Sequence, residues 1–275
     1  MSHPNKIFIG LSVLIQVLFF SCTDKSNQGK KPNVIFILVD DLGWNDLGYT
    51  GSKFYESPNI DTLSNHSFQF TNAYSASPVC SPTRASIMTG KHPSRVNITD
   101  WIPGNDPKDK LLLGPQDLDG LPLEEITIAE ELKSSGYNTF YVGKWHLGSE
   151  GSYPEDHGFD VNIGGFEKGS PMGGYYSPYK NPKLSDGLEG EYLTDRLTNE
   201  ALGLIKNRDS SKSFALFLSF YNVHTPIQAN LEHVDYFKEK LSKMSDNVVR
   251  TRDEGEAVTR LNQTNAEYAS MVYAV

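Results

Sequence analysis

The 275-residue chain carries 34 acidic against 25 basic residues, a formal net charge of −9, and 38% hydrophobic residues. These values are typical of a globular chain with a sizeable core, and they exclude a disordered protein or one with many membrane spans. Because the chain has no cluster of Lys and Arg, the acidic balance argues against nucleic-acid binding. An anionic ligand would therefore need a local cationic site or a metal.

Residues 1–21 predict a signal peptide. Lys6 is followed by an apolar run that ends at Phe20, which is shorter than the roughly 20 apolar residues of a membrane span. A small residue and then Cys22 after this run resemble a bacterial lipoprotein cleavage site, with a polar tether over residues 22–31. We therefore expect export to the periplasm or cell surface and a lipid anchor at Cys22 in a bacterial membrane. An ordinary signal peptide with an incidental cysteine is the alternative.

The first predicted strand covers residues 34–39, a continuous apolar run rich in β-branched residues. Such a run predicts a strand buried on both faces, as in a parallel sheet. Asp40 and Asp41 follow at its carboxyl end, where sites form in such sheets. Taken alone, an acidic pair after a strand is more often a simple turn than a site.

The segment from Ser77 to Gly90 predicts a short helix with a chemical role. Pro82 suits its first turn and Gly90 its end, so Cys80 lies at the helix N-terminus, where backbone N–H groups favour an anion. Arg84 lies about one turn later and can reach back beside the thiol. Three residues separate the cysteine from the arginine, whereas a protein tyrosine phosphatase needs five.

Cys22 and Cys80 are the two cysteines of the chain. If Cys22 is lipidated, Cys80 is a lone thiol in an exported protein and calls for a chemical explanation. A disulfide between Cys22 and Cys80 is the alternative, although it would join a tail to a distant loop.

Strands and helices alternate along the rest of the chain, which predicts an α/β fold with a mostly parallel sheet. Polar residues follow the predicted strands: Lys144 and His146 follow the second, and His224 follows the third. Long Gly/Pro/Tyr-rich surface loops are expected between the elements, notably over 151–182. The predicted elements are helices at 124–135 and 193–206 and strands at 137–142 and 214–220.

Three motifs together resemble the type I, formylglycine-dependent sulfatases. Residues 80–84, Cys-Ser-Pro-Thr-Arg, resemble the C-x-P-x-R modification signature of that family, with Thr-Gly following at 89–90. Residues 32–43 resemble its first strand and metal-binding turn, and residues 143–148, Gly-Lys-Trp-His-Leu-Gly, its sulfate-binding motif. The resemblance runs from about residue 32 to the end of the chain.

The resemblance implies an alkaline-phosphatase-like three-layer sandwich with a mostly parallel central sheet. Residues 32–275 would then be the N-terminal part of a sulfatase domain, because the chain stops at Val275 within a predicted helix. The family also uses an Asp-Asn pair after a later apolar strand. Asp246 and Asn247 match in type, but the charged residues before them predict a solvated loop.

The resemblance further implies a cofactor and a set of site residues. Cys80 would be oxidised to formylglycine by a maturating enzyme, and calcium would be bound by Asp40, Asp41 and the oxygen derived from Cys80. Calcium prefers such hard oxygen ligands.

The remaining roles concern sulfate and protons. Arg84 and Lys144 would hold the diol and sulfate oxygens, His146 would act as the base at the diol, and His224 as the acid for the leaving group.

The expected function is the hydrolysis of sulfate esters of a carbohydrate, such as a polysaccharide or its oligosaccharides. Residues 100–122 and 151–182 are candidate sugar-contacting loops. Two alternatives remain: another phospho-hydrolase of the alkaline phosphatase superfamily, against which Cys80 argues, and a catalytically weak glycan-binding lipoprotein. No nucleic-acid partner is expected.

Overall fold

The computed structural model describes residues 31–104, 109, 111–244 and 251–275. The chain divides into two compact units, Met1–Pro32 and Asn33–Val275, and the described residues fall almost entirely in the second. The predicted signal peptide, Cys22 and the pair Asp246–Asn247 lie outside the described residues. Within the described ranges, every helix is too short or too polar to cross a membrane.

Four parallel strands form the central sheet, in the order β1-β4-β2-β3. Leu38 on β1 and Gly143 on β2 both pair with Ser219 on β4, so the three carboxyl ends are level. The predicted parallel α/β class is therefore confirmed. A separate antiparallel hairpin is formed by β5 and β6. The strands are β1 Val34–Leu38, β2 Asn138–Gly143, β3 Val161–Ile163, β4 Phe214–Ser219, β5 Thr251–Glu254 and β6 Ala257–Arg260.

Seven α-helices lie in the described ranges, with two short 3-10 turns at Gly48–Thr50 and Pro154–His157. The helices are α1 Pro58–Ser64, α2 Cys80–Thr89, α3 Pro93–Val96, α4 Ile128–Ser134, α5 Leu193–Asn207, α6 Val234–Ser242 and α7 Ala266–Tyr273.

The sheet separates two cores because side chains alternate between its faces. Phe140 and Leu216 point into a core shared with α5, α6 and α7. Tyr141 and Phe217, their chain neighbours, point into a second core shared with α2, α3 and α4. Both central strands, β2 and β4, are therefore buried on both faces, and the architecture has the three layers that were expected.

Three details of the sequence-based prediction are wrong. Strand β1 is not buried on both faces, because it lies at the edge of the sheet and Ile35 and Ile37 are about half exposed. Helix α4 begins at Ile128 rather than 124, because Thr127 caps it. The Thr127 hydroxyl accepts the Glu130 N–H, and the Glu130 carboxylate accepts the Thr127 N–H, which is a capping box.

The third error concerns residues 151–182, which are not simply a surface loop. They contain β3, and Phe166, Tyr175 and Tyr179 are almost completely buried in the first core. Burial of several aromatic rings fixes this long segment against the sheet.

Candidate active site

Asp40 and Asp41 lie where β1 ends, and they point to different neighbours. The Asp40 N–H donates to the Asn222 carbonyl at 2.8 Å, and the Val223 N–H donates to the Asp40 carbonyl at 2.6 Å. These bonds join the ends of β1 and β4. Asp41 has a left-handed backbone, with φ of +57°, and its half-exposed carboxylate lies 3.7 Å from His224 Nε2.

Cys80 is the first residue of α2, as the sequence predicts, and Gly90 ends the helix in the left-handed conformation. The free, partly buried thiol lies 3.2 Å from His146 Nδ1. The next residue, Ser81, is fully buried. Its hydroxyl donates to the His146 carbonyl at 3.0 Å and accepts the Ile102 N–H at 3.0 Å. Ser81 thus holds the His146 segment against the start of α2.

Arg84, Lys144 and Asp40 form a buried charge cluster beneath the helix N-terminus. Arg84 Nη1 donates to the Lys144 carbonyl at 2.6 Å and to Ser219 Oγ at 3.1 Å. The Lys144 ammonium is paired with Asp40 Oδ2, and Arg84 Nη2 lies 3.4 Å from the same oxygen. Arg84 is 2% exposed and Lys144 is fully buried.

The charges in this cluster shift one another's pKa values. Burial by itself raises the pKa of Asp40, but Arg84 and Lys144 outweigh it, so that pKa is below its ordinary value. Burial lowers the pKa of Lys144, and Arg84 adds to that effect while Asp40 opposes it. Arg84 Nε and Nη2 have no hydrogen-bond partner among the described residues. Buried N–H groups of this kind fit the oxygens of a bound anion.

His146 is held in one tautomer. Its Nε2 lies 2.6 Å from the Ile102 carbonyl oxygen, which can only accept, so Nε2 carries the proton and the Nδ1 lone pair faces Cys80. Burial and the charge of Lys144 lower the pKa of His146 to about 4, so the ring is neutral at pH 7. A Cβ on Gly169 would lie 2.3 Å from His146 Cε1, so this ring needs a glycine beside it.

His224 follows β4 and is less buried than His146. The Tyr175 hydroxyl lies 2.7 Å from the Tyr221 carbonyl and 2.8 Å from the His224 carbonyl. His224 Nδ1 lies 2.8 Å from the Thr225 carbonyl, so Nδ1 carries a proton and Nε2 faces Asp41. Tyr175 was not predicted as a site residue, because a tyrosine in a Tyr-rich loop gives no sequence signal for this contact.

The residues selected from the sequence therefore lie at one edge of the sheet. Two buried groups form, one around Asp40 and one around Cys80, while Asp41 and His224 form a more exposed pair. The described residues contain no group of three or more His, Cys, Asp or Glu side chains that could hold a metal ion. The predicted calcium ligands at 40, 41 and 80 thus stay a prediction. Carboxylate oxygens such as those of Asp40 and Asp41 are ligands of the type that a hard cation prefers.

A cleft of about 480 Å³ opens beside the two histidines, with both of them in its wall. Trp101, Asp119 and Glu167 also line this cleft. An ester held at the histidines would therefore extend its alcohol portion into this cleft.

The Sulfatase family model matches residues 32–274, which is nearly all of the second compact unit. The chain belongs to the sulfatase family. It is 34% identical to human arylsulfatase G over 206 residues, or 72% of this chain and 37% of that protein. It is 32% identical to human N-acetylgalactosamine-6-sulfatase over 226 residues, or 74% of this chain and 42% of that protein.

Solved structures of similar proteins confirm the alkaline-phosphatase-like fold of this sulfatase chain. The crystal structure of Ps i-CgsB in complex with k-i-k-neocarrahexaose matches with a TM-score of 0.65 and 28% identity, covering 89% of this chain and 52% of that one. BT4656 in complex with its substrate D-glucosamine-2-N,6-O-disulfate matches with a TM-score of 0.60 and 26% identity, covering 79% and 40%. The sulfatase chain thus spans about half or less of the length of these relatives.

Proposed function

We propose that the protein to which this chain belongs hydrolyses sulfate esters of carbohydrates, using formylglycine formed from Cys80 and a calcium ion. The observation that carries the proposal is Arg84, a buried guanidinium one turn after Cys80 whose Nε and Nη2 have no hydrogen-bond partner within the described part of the chain. With Lys144 beside it, Arg84 offers charge-assisted donors to the oxygens of a sulfate group.

The two implied groups would supply what the side chains lack. A hydrated aldehyde at position 80 supplies a nucleophilic hydroxyl and a second hydroxyl through which sulfate can be released. Calcium, if held by Asp40, Asp41 and the oxygen at position 80, would supply positive charge that offsets that of an anionic ester.

The chain's own residues would bind the ester and move protons. Arg84 and Lys144 hold sulfate oxygens and offset the charge that repels a nucleophile. Neutral His146 accepts a proton at Nδ1, the atom that faces position 80. His224 donates a proton from Nε2 to the leaving alcohol, with the Asp41 carboxylate 3.7 Å from that nitrogen.

The carbohydrate substrate, the partners and the location are part of the proposal. A carrahexaose and a sulfated glucosamine are bound by two structural neighbours, which supports a sulfated saccharide as substrate. The proposal also includes export, a lipid anchor at Cys22, and maturation by a formylglycine-generating or sulfatase-maturating enzyme. The site would then act on saccharides outside the cytoplasm.

The decisive experiment is mass analysis of the peptide that contains Cys80 after co-expression with a maturating enzyme. Replacement of the thiol by an aldehyde lowers the mass by about 18 Da, and Cys80→Ala abolishes turnover. An unmodified thiol in an active protein would refute the mechanism. Faster hydrolysis of a phosphorylated aryl ester than of the sulfated one would favour a phospho-hydrolase. Binding of saccharides without calcium-dependent turnover would favour a glycan-binding protein.

Two variants test the assigned roles. Lys144→Ala lowers turnover by removing a contact to charge that develops in the transition state, at a cost on the order of 2–4 kcal/mol. His224→Ala slows esters with poor leaving groups more than activated aryl esters, because only the former need a strong acid. Equal losses on both ester types would contradict the acid role of His224.

A further inference from the structure

The cleft beside the two histidines has a wall whose charge is unusual for a site that binds an anion. Among its described lining residues, two carboxylates, Asp119 and Glu167, stand against one ammonium, that of Lys168. Lys168 Nζ lies 3.8 Å from Glu167 Oε1, so its charge is opposed by that neighbour. Among the described lining residues, the carboxylate of Asp119 is then in excess, and their summed formal charge is negative.

Glu167 is fixed in this wall rather than free to turn away. Its Oε2 accepts a hydrogen bond from the Tyr153 hydroxyl at 3.0 Å, while its other oxygen is the one near Lys168. A carboxylate with a set position can accept further hydrogen bonds from a ligand, and hydroxyl groups are the donors that an uncharged saccharide offers.

Trp101 adds an apolar surface to the same cleft. Its indole is 42% exposed and lines the cleft together with the two carboxylates. A flat aromatic ring next to fixed hydrogen-bond acceptors fits a sugar ring, whose C–H face packs on the indole while its hydroxyls donate to Asp119 and Glu167. A second sulfate or a uronate at this wall would instead meet like charge.

We propose that this cleft binds the sugar ring of the substrate, and that it selects an uncharged, hydroxyl-rich sugar with a single sulfate ester over sugars with a second anionic group. This inference rests on the proposed sulfatase function, because the histidines place the sulfate end of the ligand. It assigns Asp119 and Glu167 as specificity-determining residues and Trp101 as the platform for the ring.

Calorimetric titration of the full chain tests the preference without relying on turnover. The ligands are the four methyl β-galactoside monosulfates and the disulfates derived from them, at constant ionic strength. We expect the monosulfate that binds best to bind at least about five-fold more tightly than its disulfates, which is about the effect of one like-charge contact at roughly 4 Å in bulk water. Equal or tighter binding of a disulfate, or no binding of any sugar, would overturn the inference.

Matched variants identify the residues responsible. Asp119→Asn combined with Glu167→Gln keeps side-chain size and brings the ratio of monosulfate affinity to disulfate affinity close to one. Lys168→Gln, the control of opposite sign, leaves the ratio unchanged or raises it, and Trp101→Ala weakens both ligands. A double variant with the wild-type ratio, or a Lys168→Gln variant whose ratio falls towards one, refutes the assignment.

Turnover of an aryl sulfate by the matured protein is measured separately, so that the two proposals can fail independently. Binding with the expected preference but no turnover counts against the sulfatase proposal alone. Turnover of the aryl sulfate together with equal binding of monosulfates and disulfates counts against the cleft proposal alone.

Discussion

Asp40→Asn is the sharpest test of how the charge cluster is balanced. The substitution keeps the shape of the side chain but removes the carboxylate that is paired with both Arg84 and Lys144, which are 2% and 0% exposed. Breaking a buried ion pair on one side costs about 3–5 kcal/mol, because the remaining charge is left without compensation. For a chain of this size, that loss lowers the melting midpoint by roughly 6 to 20 °C.

The difference in the free energy of unfolding between wild type and Asp40→Asn depends on pH, both in acid and in alkali. The folded-state pKa of Asp40 is below its ordinary value, so its stabilising contribution is complete above about pH 4 and is lost as the pH falls through the folded-state value. The difference between wild type and variant therefore shrinks below about pH 4.

On the alkaline side the difference also shrinks. Without Asp40, the pKa of Lys144 falls further below its ordinary value, and the unfolded chain then binds more protons than the folded one. The stability of the variant therefore rises with pH as Lys144 loses its proton in the folded state.

The assay is thermal unfolding followed by circular dichroism from pH 3 to 10, with EDTA present so that no divalent cation replaces the lost partner. Glu239→Gln is the control, because Glu239 pairs with Lys243 on the exposed surface of α6 and its loss leaves the midpoint unchanged. An Asp40→Asn midpoint within about 2 °C of wild type, or a deficit that is constant across the pH range, would refute this account of the cluster.

Two further predictions concern the supports of the histidines. Gly169→Ala pushes a methyl group into the His146 ring, so it lowers the free energy of unfolding by about 1–3 kcal/mol and also lowers turnover. The control is Gly203→Ala in α5, where the space around the glycine is open. It raises the free energy of unfolding by about 0.5–1 kcal/mol in the same assay. Tyr175→Phe removes the hydroxyl that holds the His224 loop, so kcat falls for poor leaving groups while KM changes little; a loss confined to KM would contradict this positioning role.

The parallel sheet and the edge at which the site forms could be predicted from the sequence. The strands predicted at 137–142 and 214–220 become β2 and β4 within one residue of the predicted bounds, and the polar residues after them lie together because parallel carboxyl ends meet. The exposed face of β1 could not be predicted, because a run of apolar residues does not indicate whether its strand lies at the centre or the edge of a sheet.

Contacts between distant parts of the chain were also beyond prediction from the sequence. Ser81 contacts Ile102 and His146, which are 21 and 65 positions away in the chain. Asn222, just after β4, contacts Thr194 on α5 and the Met271 carbonyl on α7. A serine or asparagine at such a place has the same local pattern as one on the surface. The three-dimensional fold alone brings these partners together, so side chains that position others escape sequence reasoning.

The left-handed backbone at Asp41 and His146 affects how such a site would decay. An ordinary residue in that conformation costs roughly 1–2 kcal/mol, a penalty that glycine avoids. While selection maintains the chemistry, both positions keep their side chains at the expense of stability. In a duplicated copy released from that selection, glycine at 41, where the side chain is half exposed, would relieve this strain while removing a carboxylate of the site. Glycine at 146 would instead leave a cavity where the buried ring packs, so glycine at 41 alone would mark a descendant retained for its shape.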